Sequence, residues 1–152
     1  MKTLIKVGII GLGRMGQFYL EEMQKSGRWQ IAYICDTHPQ SRELAQKLSP
    51  NSVVTDNEQL IFDDPEVQVV GLFALANSRK EQIEKAVLSG KHIISEKPIS
   101  DTIIREWESV HIAEKSNLLA TVNMYLRNTW YHRRIKELIS IDRKSTRLNS
   151  SH

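Results

Sequence analysis

The sequence predicts an α/β fold with a doubly wound parallel sheet of the Rossmann type. Short apolar runs alternate with helical segments at a spacing of about 20–30 residues, which is typical of a parallel sheet covered by helices. A glycine-rich turn joins the first apolar run to a helix. The composition, 40% hydrophobic and 26% charged over 152 residues, is that of one soluble domain with a core.

The first elements each have a signal in the sequence. Residues 4–10 form a β-branched, nearly all-apolar run, as expected for a strand buried on both faces. Apolar side chains at a helical period predict a helix over 15–24, and Gly27 ends it. A second apolar strand over 30–35 ends at Asp36.

Most of the later helices are preceded or opened by residues that favour a helix start. Pro39 suits the first turn of a helix. Asp56, then Asn77 or Ser78, and then Asp101 are placed to cap the next three helices. The elements so predicted are helices from Pro39 to Leu48 and over 58–62, 81–88, 102–116 and 130–139, and strands over 52–54, 67–73, 91–95 and 118–122.

Charge and cysteine content exclude several functional classes. The net charge is +3, but residues 142–152 hold three basic residues against one acid, so the body is nearly neutral. A near-neutral body gives no electrostatic footprint for nucleic acid. No run approaches the roughly 18 apolar residues of a membrane helix, so we expect no membrane contact. The single cysteine, Cys35, predicts a small buried side chain, no disulfide, no metal site and a cytoplasmic location.

The glycine-rich turn, Gly11-x-Gly13-x-x-Gly16, is typical of dinucleotide-binding sites because it follows a strand and opens a helix. Gly11 permits the tight turn, Gly13 leaves room for a pyrophosphate, and Gly16 lets helix and strand pack closely. The helix N-terminus offers free amides to the phosphates. A tight turn without a ligand is the alternative. The residues expected to contact the dinucleotide here are Gly11, Leu12, Gly13, Arg14, Met15 and Gly16.

Asp36 is predicted to select the cofactor. It lies 20 residues after the last glycine of the turn, at the end of the second strand. Its carboxylate can accept both ribose hydroxyls of the adenosine half, and it would repel a 2′-phosphate, so NAD is favoured over NADP. A helix cap is the alternative role. Arg42 is on the following helix, not immediately after Asp36, and is therefore not counted as a phosphate clamp.

Two later loops follow strands and should meet the same sheet edge. In the first, Ala74 and Asn77 are expected beside the dinucleotide, although Asn77 could equally be only a helix cap. In the second, Glu96-Lys97-Pro98 could place an ammonium at the reacting end of the cofactor. A solvated charge pair at a turn is the alternative.

Several of these segments together resemble the Gfo/Idh/MocA family of oxidoreductases over about residues 4–139. The resemblance rests on the glycine turn, Asp36, the Asp-Asp-Pro-Glu-Val segment at 63–67 and, most specifically, Ser-Gly-Lys-His-Ile-Ile-Ser-Glu-Lys-Pro at 89–98. It implies hydride transfer between NAD(P) and a hydroxyl-bearing carbon of a polyol, sugar or cyclitol.

The resemblance also implies roles for individual residues. Lys97 is the expected catalytic residue, near the nicotinamide and the substrate oxygen. Glu96 would hold the nicotinamide ribose, and Arg127 falls in a segment that often carries an arginine at the nicotinamide end. The chain departs from the family at Ala76 and Lys80, where a proline and a histidine are common. A different dinucleotide-dependent reductase is disfavoured by the Glu-Lys-Pro turn.

The family resemblance further implies a second α/β domain with a histidine acid–base, which has no match here, and a homo-oligomeric full-length form. Residues 142–152 are polar and without period, and we expect them to be disordered. The string from Lys144 to His152 resembles translated sequencing-adapter DNA. We therefore expect a Rossmann domain over 1–141, a non-native tail and a truncated enzyme. The alternative is a stand-alone dinucleotide-binding or sensing module without catalysis.

Overall fold

The computed structural model describes residues 3–124, 127 and 129–149. Residues up to Val122 form one unit and those from Asn123 form another. The strands of the first unit are β1 (Ile5–Ile10), β2 (Trp29–Cys35), β3 (Val53–Thr55), β4 (Val69–Leu72), β5 (His92–Ser95) and β6 (Ala120–Val122). Its helices are α1 (Arg14–Ser26), α2 (Pro39–Leu48), α3 (Gln59–Asp63), α4 (Ala76–Leu88) and α5 (Ile103–Lys115).

The six strands form one sheet in the order β3-β2-β1-β4-β5-β6. Every neighbouring pair is parallel. The chain therefore winds outward from β1 in one direction and from β4 in the other, and the crevice between these two strands is where such sheets bind ligands. The predicted doubly wound parallel sheet is confirmed.

Two apolar clusters cover the two faces of the sheet, as neighbouring residues of the central strands point in opposite directions. Ile9 packs with residues of α1 and α2, whereas Ile10 packs with residues of α3 and α4. Cys35 lies in the second cluster, and burial raises the pKa of its thiol to about 12. It is a small buried side chain, as the sequence predicts.

A buried lysine links two of the segments that carry the family resemblance. The Lys91 side chain is 2% exposed, and its ammonium donates to the carbonyl oxygens of Asp64 (2.6 Å) and Val67 (3.0 Å). Burial lowers the pKa of Lys91, an effect that Asp64 and Asp63 oppose. The lysine thus anchors the turn before β4 to the start of β5.

The predicted cap of α4 is wrong. Helix α4 begins at Ala76 and its N-cap is Leu75, so Asn77 and Ser78 lie in its first turn. The Ser78 hydroxyl instead donates to the Leu75 carbonyl at 3.0 Å. The helix thus starts earlier than local capping preference indicates, and near its start it carries a buried arginine, Arg79, described with the site below.

The predicted caps of α3 and α5 are also wrong. The Thr102 hydroxyl caps α5 by accepting from the Arg105 amide at 3.3 Å, while the Asp101 carboxylate pairs with the Arg105 guanidinium. At α3, the Asn57 side chain accepts from a first-turn amide at 3.0 Å in place of Asp56. In both cases an adjacent polar residue has the geometry that the predicted residue lacks.

The second unit contains helix α6 (Trp130–Asn149), which runs past its predicted end at residue 139. The helix includes residues 142–149, where the sequence predicts a disordered tail; the disorder of this tail stays a prediction, and residues 150–152 lie outside the described part. No Gly or Pro interrupts 130–149, and its Arg, Lys and Leu residues favour helix. Whether the segment is native stays a prediction. No helix among the described residues is long and apolar enough to span a membrane.

Candidate functional site

Four chain segments leave the carboxyl edge of the sheet side by side. The Gly11 amide donates to the last carbonyl of β2 (2.8 Å), the Phe73 amide to the last of β1 (2.8 Å), and the Glu96 amide to the last of β4 (3.0 Å). The ladder of hydrogen bonds therefore continues past the strand ends. It brings the glycine turn, Asp36, the Ala74 loop and the Glu96 turn to one edge.

Two glycines of the turn are required by the protein itself. Gly11 has φ +90°, a left-handed conformation, and a Cβ there would lie 2.5 Å from the Ala74 amide nitrogen. A Cβ on Gly16 would overlap the carbonyl oxygen of Gly11. The tight turn and the close helix packing expected of these glycines are both present in the backbone.

The middle glycine differs from its neighbours. Gly13 has φ −68°, and a Cβ there would meet nothing within 4 Å in the described part of the chain. The protein's own packing therefore does not demand a glycine at this position. The space outside Gly13 is open to a ligand.

The opening at Gly13 lies at the N-terminus of α1. The first helical hydrogen bond runs from the Gln17 amide to the Gly13 carbonyl (3.0 Å), so the amides of Arg14, Met15 and Gly16 precede the first helical donor. The first turn holds no acidic residue. Free amides and the positive end of the helix dipole are what a phosphate needs, so the residues fit a pyrophosphate.

Asp36 ties the second strand to the glycine turn. Its carboxylate accepts hydrogen bonds from the Leu12 amide (2.7 Å) and the His38 amide (2.8 Å). Burial raises the pKa of Asp36, but these hydrogen bonds outweigh burial and hold the pKa below its usual value. The N-cap of α2 is His38, so the alternative of Asp36 as that helix's cap is wrong.

Arg42 lies closer to Asp36 than its sequence spacing indicates. Its guanidinium donates to the carbonyl oxygens of Asp36 and Thr37, each at 2.9 Å, because Arg42 lies near the start of α2 and helical side chains lean toward the N-terminus. Distance therefore does not exclude it as a phosphate contact. Its Nη1 atom donates instead to backbone carbonyl oxygens of the protein itself.

The Glu96-Lys97-Pro98 turn is anchored from within. Glu96 is 6% exposed and its carboxylate accepts from the Lys97 amide at 3.1 Å, whereas the Lys97 side chain is exposed. The Lys97–Pro98 peptide is cis. A solvated charge pair does not describe a glutamate buried to this degree. The turn presents the lysine at the sheet edge on a fixed backbone.

The three remaining predicted residues lie in different parts of the structure. Asn77 is exposed in the first turn of α4, and its carbonyl accepts from the Arg105 guanidinium at 2.9 Å. Ala74 is half-buried at the exit of β4. Arg127 is exposed in the second unit, and its role at the nicotinamide end stays a prediction.

Sequence reasoning missed Arg79, a buried side chain of this edge. It is 3% exposed on α4, and its guanidinium hydrogen-bonds carbonyl oxygens of both the Ala74 loop and the Glu96 turn. Burial lowers the pKa of its guanidinium, and the nearby Glu96 carboxylate opposes that change. Arg79 shares the helical face of the buried Ile83 and Ala86. The sequence did carry a signal for it: an arginine at a position where the helical period predicts an apolar residue.

Comparison with known proteins agrees with this geometry. The family model described as the oxidoreductase family with an NAD-binding Rossmann fold, Gfo/Idh/MocA, matches residues 5–124. The myo-inositol 2-dehydrogenase of Thermotoga maritima is 24% identical over 136 residues, which is 89% of this chain and 40% of that protein. The chain thus spans about two fifths of the length of the curated relatives it matches first.

Two solved structures share the fold. The scyllo-inositol dehydrogenase of Lactobacillus casei, solved with NAD(H) and scyllo-inositol, superposes with a TM-score of 0.83 at 24% identity, covering 93% of this chain and 42% of that one. A 3-ketoreductase of Actinomadura kijaniata, solved with NADP, gives 0.78 at 18% identity, covering 91% and 42%. Proteins of this fold therefore hold NAD or NADP.

Proposed function

Because this chain belongs to the Gfo/Idh/MocA family of oxidoreductases, we propose that it is the cofactor-binding part of an NAD-dependent enzyme. The reaction is transfer of a hydride to or from a hydroxyl-bearing carbon of a cyclitol or sugar. The observation that carries the proposal is the open position at Gly13, next to the N-terminus of α1 and on the same sheet edge as Asp36.

The adenosine half of the cofactor is held at the glycine turn. The α1 amides hold the pyrophosphate, which fills the space that a side chain on Gly13 would take. The remaining lone pairs of the ionised Asp36 carboxylate accept the ribose hydroxyls. A 2′-phosphate would meet this negative charge at close range, which favours NAD over NADP.

The nicotinamide half lies toward the turn after β5. When bound, the cofactor supplies or accepts the hydride. Glu96 orients the nicotinamide ribose, and the exposed ammonium of Lys97 stabilises negative charge on the substrate oxygen. The cyclitol substrate class is supported by the inositol dehydrogenases among the similar proteins.

Hydride transfer also needs a group that takes the hydroxyl proton. The matched relatives are longer than this chain. We therefore place the proton acceptor in the part of the enzyme that corresponds to the rest of those relatives. The chain alone should bind the cofactor without appreciable turnover.

A calorimetric titration with NAD tests the proposal, with Gly13→Val as the decisive variant. A Cβ at this position meets no described protein atom within 4 Å, so the unfolding midpoint should change little, while NAD affinity should fall at least about tenfold because the pyrophosphate space is filled. Asn51→Val, on an exposed turn before β3, is the matched control. Equal NAD affinity in the Gly13 variant and the wild-type chain would contradict the proposal.

A further inference from the structure

Arg79 reaches two separate loops of the candidate site. Its Nη2 donates to the Ala74 carbonyl at 2.5 Å, and its Nη1 donates to the Glu96 carbonyl at 3.0 Å and to the Pro98 carbonyl. One guanidinium therefore bonds the segment after β4 to the segment after β5.

In the turn after β5, the hydrogen bonds from Arg79 go to the residues on either side of Lys97. The Glu96 and Pro98 carbonyls flank this residue in the chain, and both accept from the same Nη1 atom. The Glu96 carboxylate holds the Lys97 amide as well. The backbone of the lysine is thus fixed from both sides, while its side chain stays exposed.

Burying a cation against neutral carbonyls is costly, and burial lowers the pKa of Arg79 accordingly. The planar guanidinium can satisfy several carbonyls at fixed angles, which a lysine ammonium on a flexible stem cannot do equally well. A buried arginine is unusual in a protein core, and its position beside the candidate site favours a functional role.

Resting on the proposed dinucleotide site, we infer that Arg79 is a positioning residue for its nicotinamide half. It couples the Ala74 loop and the Glu96–Pro98 turn into one rigid unit, and it thereby sets where Lys97 presents its ammonium. None of the Arg79 hydrogen bonds described here goes to the glycine turn or to Asp36, which hold the adenosine half.

The first experiment compares amide hydrogen exchange in the wild-type chain and in Arg79→Lys. We expect residues 73–78 and 95–99 to exchange about tenfold faster together in the variant, with β1 and β2 unchanged. Lys85→Gln, which removes a cation from the same helix by breaking its pair with Glu58, is the matched control. Faster exchange in only one loop, or in neither, overturns the inference.

The second experiment separates positioning from folding. NAD affinity should fall about tenfold in Arg79→Lys, while the affinity for ADP, which lacks the nicotinamide half, should change less than about twofold. An equal loss for NAD and ADP overturns the inference. If the wild-type chain binds neither ligand, the proposed function fails, and the exchange experiment alone decides whether Arg79 couples the two loops.

A measurement on the wild-type chain covers the case in which Arg79→Lys does not fold. Guanidinium protons of Arg79 should exchange with water at least about tenfold more slowly than those of the exposed Arg28, as seen by ¹⁵N NMR. NAD should shift the Arg79 signals and ADP should not. Exchange as fast as that of Arg28 overturns the inference.

Discussion

The Asp36 carboxylate has a structural role in the fold and a proposed role in cofactor binding. Its oxygens accept the amides of Leu12 and His38, which fixes the glycine turn against the end of β2. The same hydrogen bonds keep the group ionised, and that charge is what should discriminate between the two dinucleotides. Its structural and proposed binding roles can be separated because they respond to different ligands.

Asp36→Asn should weaken NAD binding about tenfold and weaken NADP binding less, because the amide no longer repels a 2′-phosphate. Titration calorimetry with both dinucleotides gives the ratio of affinities. Asp56→Asn, an exposed carboxylate near Arg42, is the matched control and should leave the ratio unchanged. A parallel loss of affinity for NAD and NADP would show that Asp36 has no part in selection.

The lowered pKa of Asp36 also predicts an acid dependence of stability. A carboxyl group whose folded pKa lies below its usual value of 3.8 stabilises the fold above that value, and this contribution is lost as the pH falls through the folded pKa. Urea unfolding at a series of pH values should therefore show a shallower acid decline for Asp36→Asn than for the wild-type chain. Identical slopes below about pH 4 would contradict the hydrogen bonding described here.

At the scale of the elements, helix ends decide which loops can serve the site. Helix α1 starts without an acid in its first turn, whereas α5 starts with a threonine cap and carries Glu106 there. The first arrangement leaves amides and positive potential available to an anion, and the second satisfies them internally. Of these two termini, that of α1 is therefore the one suited to a phosphate.

Thr102→Ala should lower the free energy of unfolding by about 1 kcal/mol, because the Arg105 amide loses its side-chain acceptor. Asp101→Ala should cost less, about 0.5 kcal/mol, since it removes an exposed ion pair with Arg105 and an acceptor of the Ser100 hydroxyl. Chemical denaturation of both variants measures the difference. A larger loss of unfolding free energy in the Asp101 variant than in the Thr102 variant would contradict the threonine cap and support Asp101, the cap that the sequence predicts.

The sequence predicts which helices and strands exist, and their order, better than it predicts the residues at which they begin and end. Strands and helices repeat a strong period, and the glycine turn is a local signal, so both are readable without a structure. Neighbouring cap candidates such as Asp101 and Thr102 differ only in backbone geometry. The bonds from Arg79 to Glu96 and Pro98 join α4 to the turn after β5, and no local sequence pattern contains that contact.

At the scale of the whole molecule, the parallel sheet places four loops of different sequence position along one edge. In the site that we propose, the reversal of winding between β1 and β4 separates an adenosine side, with Asp36, from a nicotinamide side, with Glu96 and Lys97. The chain's family is described by an NAD-binding Rossmann fold. We also propose that the full-length enzyme is a homo-oligomer.

Turnover should require more than this chain. With NAD and myo-inositol, the chain should form NADH no faster than its Lys97→Met variant, because proton transfer lacks its acceptor. Absorbance at the NADH band measures the rate, with bound NAD verified separately. Rapid, Lys97-dependent NADH formation would place the complete reaction within these residues.

NMR mapping of NAD on the isotopically labelled chain tests the central claim most directly. We predict that amide shifts change along the carboxyl edge of the sheet, in residues 11–17, 36–38, 73–78 and 95–99, and that ADP reproduces only the first two groups of changes. Shifts confined to the opposite edge of the sheet, or no shifts at saturating NAD, would contradict the claim that this edge holds a dinucleotide.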